Sequence, residues 1–148
     1  MEKFELNPSE YPLQKRIQKE VSLLAILLGI LLFFVGIHVV YLTSTLLMYV
    51  LLLLLKRNRI VTKITFSDTS EKVTIFYFYL IFFRGKETIN YNKLSFKLGL
   101  KRFGFGSAIE TMELFKGKIL AGELRKKGKW KWSEECISQL EQKLNSIK

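Results

Sequence analysis

Thirty-five consecutive residues, Val21–Leu55, contain no Lys, Arg, Asp or Glu. This run constrains the fold more than any other feature, because a helix that is apolar all round must be covered by apolar material. Its only strongly polar residues are Ser22, His38, Thr43, Ser44 and Thr45. As one helix it would be about 52 Å long, well beyond the about 30 Å hydrocarbon core of a bilayer. The run therefore predicts two helices folded as a transmembrane hairpin. Lys15, Arg16 and Lys19 precede it, and Lys56, Arg57 and Arg59 follow it. The positive-inside rule puts both clusters in the cytoplasm, which requires an even number of crossings. The expectation is a multi-pass protein of the inner (cytoplasmic) membrane with both termini cytoplasmic. A cleaved signal peptide is a poor reading, since the apolar core is too long and no A-x-A site follows it.

The turn is expected near His38–Thr45, with a hydroxyl of Thr43, Ser44 or Thr45 capping the second helix. In the first helix, Ala25, Gly29 and Gly36 continue a row from Ser22 at offsets of three, four and seven. Small residues so placed let another helix approach closely, either the second helix or a second copy of the chain.

The chain carries a net charge of +11. Residues 1–20 hold four basic and four acidic side chains, so the excess lies in residues 56–148, with twenty basic and nine acidic ones. Such a segment seeks an anionic partner. Because the same chain carries the apolar run, anionic headgroups of a lipid bilayer are favoured over nucleic acid. The single cysteine, Cys136, can form neither an intramolecular disulfide nor a cysteine-based metal site by itself.

After Arg59 the pattern changes to period two. Ile64 and Phe66 alternate with polar neighbours, Asp68–Glu71 reads as a turn, and Lys72–Phe83 reads as a second strand. Arg84-Gly85-Lys86 is expected to turn the chain into Glu87–Tyr91. Leu94–Leu100, Glu110–Phe115 and Ile119–Arg125 are further strands. The last element is a helix capped by Ser133, with Glu134 and Glu135 at its positive end and an apolar stripe of Ile137, Leu140, Leu144 and Ile147.

Three segments follow: a cytoplasmic N-terminal stretch, 1–20; the hairpin, 21–58; and a cytoplasmic domain, 59–148. The expected class is a membrane protein of α+β type. Its transmembrane helical hairpin precedes a pleckstrin-homology (PH)-like antiparallel β-barrel or sandwich with a C-terminal amphipathic helix.

The chain also resembles a family. The residues that carry the likeness are Lys63-Ile64-Thr65-Phe66, Lys72–Tyr79, Ile89-Asn90-Tyr91-Asn92-Lys93-Leu94, Trp132-Ser133-Glu134-Glu135 and the opening Phe4-Glu5-Leu6 with Tyr11. With the order of charged stub, apolar pair and basic β-domain, they resemble the small bacterial membrane proteins of the YcxB-like, bacterial PH-like group. That resemblance implies a cytoplasmic PH-like fold without established catalytic residues.

Candidate sites are few. Two basic clusters, Lys97, Lys101 and Arg102, and Arg125, Lys126, Lys127, Lys129, Trp130 and Lys131, suit an anionic lipid surface or a partner protein. Basic–aromatic interleaving also fits single-stranded nucleic acid, and a plain solvated hairpin is the bland alternative. His38 is the only histidine and is expected to meet water near the turn. Phe103-Gly104-Phe105-Gly106 lacks the context of a phosphate loop. No spacing predicts a carboxylate pair, a metal site or a cofactor site. The expected function is a membrane-anchored, non-catalytic module binding anionic headgroups or a protein partner, homodimers included. Its alternatives are a protein-interaction scaffold without lipid specificity and, third, a membrane-bound enzyme.

Overall fold

The computed structural model describes residues 2–55, 59–79, 82–102 and 107–147. Strand β2 (Arg59–Ser67) joins the two ends of the chain's architecture. On one side it pairs with β3 (Lys72–Tyr79) across the Asp68–Ser70 turn, which Glu71 closes in the left-handed region at φ 49°. On its other side it pairs with β1 (Glu2–Glu5), Glu2 opposite Phe66 and Glu5 opposite Lys63. The first residues of the chain, set apart by the sequence reading, thus belong to the sheet. Strand β4 (Phe83–Asn90) completes it in the antiparallel order β1-β2-β3-β4. A second antiparallel sheet, β5-β6-β7, is built from Leu94–Arg102, Ala108–Lys116 and Ile119–Arg125.

The sheets meet where β7 packs on β2. A Cβ at Gly122 would come 2.7 Å from the Val61 side chain, so only glycine permits this approach. Helix α3 (Glu134–Ile147) covers the space between them, burying Ile137, Leu140 and Leu144 in one core with Phe66, Ile75, Met112 and Leu124. Its start is capped as expected: the Ser133 hydroxyl accepts the Cys136 N–H at 3.2 Å.

Two strand boundaries differ from expectation. Arg84-Gly85-Lys86 lies inside β4, because the Tyr77 ring covers Gly85 so closely that a Cβ would sit 2.5 Å from it. The strand expected over Lys72–Phe83 stops at Tyr79, and Phe83 already belongs to β4. Leu80 and Ile81 lie outside the described residues, as do Lys56, Arg57 and Phe103–Gly106.

Between β1 and β2 the chain rises into α1 (Leu13–Val35) and returns through α2 (Val39–Leu55). The break comes at Gly36–His38, earlier than expected. Gly36 takes φ 76°, and its N–H donates to the Leu32 carbonyl at 3.1 Å. Thr43 and Ser44 therefore do not cap α2. Their hydroxyls donate back to the carbonyls of Val39 and Val40 at 2.7 Å each.

This early break corrects the transmembrane expectation. Lys15, Arg16, Lys19 and Glu20 fall within the first turns of α1, so its charge-free part is only Val21–Val35, about 22 Å long. Helix α2 has 17 residues, about 26 Å. A crossing needs about twenty apolar residues and about 30 Å. Among the described residues no helix is long and apolar enough to cross a membrane. The transmembrane hairpin, and the multi-pass inner-membrane protein inferred from it, give way to an α+β fold of two antiparallel sheets with a helical hairpin inserted between neighbouring strands.

The proposed helix-packing row is also placed differently. A half-open apolar groove of about 330 Å³ runs between α1 and α2, lined by Leu27, Leu31, Phe34, Thr45, Met48 and Leu52. Bulky side chains of both helices therefore line the groove of the hairpin. Ala25 and Gly29 are exposed, with open space where a Gly29 Cβ would go, and Gly36 ends the helix.

Candidate binding surface

The two basic clusters do come together, since Arg102 pairs with Ala108 and Arg125 with Thr111 at one end of the second sheet. Much of their charge is neutralised there. Lys101 bridges Glu113 at 2.8 Å and Glu123 at 2.7 Å, Arg125 holds Glu123 at 2.8 Å, and Lys126 holds Glu110 at 2.7 Å. Burial works against the Lys101 charge, yet the two glutamates hold its pKa above the ordinary lysine value. Lys97, Arg102, Lys127, Lys129 and Lys131 remain exposed.

The run 125–131 is a tight turn. The Trp132 N–H donates to the Arg125 carbonyl at 2.8 Å, Gly128 has φ 83°, and Trp130 takes φ 62°. That turn drives both indoles inward, leaving Trp130 6% and Trp132 2% exposed. Neither ring is available to stack on a base or to rest in a lipid interface, so Trp130 does not belong to an exposed binding cluster. His38 is exposed at the hairpin turn, 5.0 Å from the Tyr41 ring. Cys136 is half-buried, and burial raises its thiol pKa. Among the described residues no three His, Cys, Asp or Glu side chains could together hold a metal ion.

A different surface is built at the root of the hairpin. The Leu6 N–H donates to the Thr62 carbonyl at 2.8 Å, so α1 leaves the sheet beside the point where β2 enters it. Arg59 lies opposite Tyr79, and Tyr79 opposite Phe83, which brings the β3–β4 connection to the same end. Tyr79, Phe82 and Phe83 are exposed there, the last two stripped of cover by more than half their area, at 64% and 54%. Beside this apolar tip rises the hairpin, whose outer side chains point away from protein nearly everywhere; Ile37 is 87% and Phe33 83% exposed. An apolar surface this continuous needs a partner.

Cations ring the same root. Arg16 lies 4.0 Å above the Phe78 ring, Arg84 lies 5.3 Å from it, and Tyr11 packs on that ring at 5.9 Å. Burial lowers the Arg16 pKa, and the positive charge of Arg84 lowers it further, with Tyr11 opposing. Lys15 donates to the Ser9 carbonyl at 3.0 Å. Lys15 and Arg16 stand in the first turn of α1, which has no acidic residue and no side-chain cap. Cations at the positive end of a helix are locally unfavourable, so helix stability does not account for them. Arg59 serves the fold instead: it bonds Glu87 at 2.6 Å, stacks on Tyr77 at 4.5 Å, and reaches the Ala121 carbonyl across the sheets.

Sequence reading named Arg16 only as a topology signal and did not single out Arg84, Phe78 or Phe82. The signal was the apolar run before Arg84, but its place beside Arg16 depends on strand register. Comparison with protein-family models, with curated proteins and with solved structures finds no match.

Proposed function

We propose that this chain is a non-catalytic binding module that attaches to an anionic lipid surface through the hairpin end of its β-domain. One observation carries the reading: the apolar hairpin, the exposed aromatic residues Tyr79, Phe82 and Phe83, and the cations Arg16 and Arg84 all lie at one end of the first sheet. Apolar side chains beneath a belt of Arg and Lys match the layering of acyl chains under charged headgroups. The four-then-three strand plan closed by a C-terminal helix supports a PH-like reading of the β-domain, as the resemblance to the bacterial PH-like group implies.

Co-sedimentation of the full chain with vesicles tests it. Binding should be tighter to vesicles containing phosphatidylglycerol than to pure phosphatidylcholine, and the gain should fade as salt rises from about 0.05 to about 0.5 M. Equal binding to both vesicles would sink the headgroup part. That outcome would favour the second reading, a protein-interaction scaffold, which rests on the open Ala25–Gly29 face where another helix could approach closely.

A further inference from the structure

We infer that β1 is a strap that closes on β2 as the hairpin settles on lipid, so that surface binding and β1 docking are coupled. This rests on the lipid-surface reading and adds the conformational step that accompanies it. The topology carries the inference. Strands β1 and β2 are neighbours in the sheet, yet both hairpin helices, α1 and α2, lie between them in the chain. The Leu6 N–H meets the Thr62 carbonyl at 2.8 Å, so docking β1 closes a loop that contains the whole hairpin. Closing a loop costs less entropy when the chain within it is already ordered.

The order of that loop depends on what covers it. Helices in proteins draw most of their stability from the packing of an apolar face. Here α1 and α2 share a half-open groove, and Phe33, Val39 and Leu47 are exposed. In water, much of this apolar surface has no partner. On lipid the same side chains are covered, the helices are held, and the two ends of the loop stand side by side. The strap itself has four residues, lies at the edge of its sheet and pairs with β2 alone. Beyond that ladder it is held by Phe4 and Leu6 in the core and by the bridge from Glu2 to Lys143 at 3.2 Å. A short edge strand of this kind can open apart from the rest of its domain.

Hydrogen exchange of the full chain, read by mass spectrometry with and without vesicles containing phosphatidylglycerol, tests the coupling. On the vesicles a peptide covering β1 and Leu6 should exchange about tenfold more slowly. One covering β5, the edge strand of the second sheet, should not. Coupling is reciprocal, so fixing β1 in place should raise lipid affinity. Lys3 stands opposite Thr65, and paired residues of antiparallel strands are close enough for a disulfide. In a chain with Lys3→Cys, Thr65→Cys and Cys136→Ser, the oxidised form should bind the vesicles about fivefold more tightly than the reduced form.

Three results would overturn the strap. The first is unchanged exchange in β1 on vesicles that do sediment the chain. The second is equal slowing in β1 and β5, which would mark general stabilisation of the domain. The third is equal vesicle affinity of the oxidised and reduced forms. A wild-type chain that does not sediment with the vesicles fails the lipid reading itself and takes the strap with it, so sedimentation tells the two failures apart.

Discussion

Asp68 shows how much one side chain can join. Its carboxylate accepts the Tyr91 hydroxyl at 2.9 Å and the Lys143 ammonium at 3.1 Å, and Lys143 also reaches Glu2 at 3.2 Å. The clasp thus ties β1, the β2–β3 turn and α3 together at the end of the sheet opposite the hairpin. The hydrogen bond from Tyr91, then that from Lys143, pull the Asp68 pKa below the ordinary carboxylate value. A lowered folded pKa contributes stability that is full above the unfolded value near 3.9 and lost as pH falls through the folded one. The alkaline side has the opposite sense. Burial and the bond to Asp68 push Tyr91 up to about 12, and bonds to Asp68 and Glu2 raise Lys143. Those contributions are full below about pH 10 and fade as pH rises through the folded values. In Asp68→Asn, the stability gap from wild type should be constant from about pH 5 to 8 and close as pH falls below about 4. Urea unfolding followed by tryptophan fluorescence would read this, because Trp130 and Trp132 are buried. A gap that persists unchanged in acid would contradict the clasp. In sequence Asp68 reads only as a turn residue, since its partners lie 23 and 75 positions away.

Most elements of the β-domain were legible because their apolar residues keep period two and their turns carry Gly or Asp. Gly117 at φ 61° is one such turn, and the Ser133 cap another boundary that local chemistry dictates. Three things were hidden. The break of the apolar run falls at Gly36, ahead of the expected His38–Thr45, because the left-handed backbone that ends α1 there leaves no mark in the hydropathy pattern. The turn expected at Arg84–Lys86 is displaced by a cross-strand contact, that of Tyr77 on Gly85. Strand β1 has four residues, too few for a periodic pattern, and is specified by the neighbour it finds in β2. Yet β1 fixes one root of the hairpin. Phe4 is 5% exposed and meets Phe66 edge-on at 5.8 Å. Phe4→Ala should therefore lower unfolding stability by about 3–5 kcal/mol, whereas Lys3→Ala in the same strand should cost under about 0.5 kcal/mol. A neutral Phe4→Ala in urea unfolding would mean that β1 does not belong to the core.

At the scale of the whole molecule the two ends differ in chemistry. One end holds the Asp68 clasp and the turn of β2 into β3; the other carries the apolar hairpin, the aromatic tip and the cations Arg16 and Arg84. The helix that closes the core, α3, approaches the clasp end through Lys143. That polarity is the core of the functional account, and orientation on a lipid surface tests it most directly. A fluorophore can be attached through Phe82→Cys at the tip or through Asn145→Cys on the exposed side of α3, in each case with the only native cysteine removed by Cys136→Ser. On vesicles containing phosphatidylglycerol and quencher-bearing lipids, the probe at position 82 should be strongly quenched and the probe at position 145 should not. Equal quenching at the two positions, or quenching at 145 alone, would contradict the account.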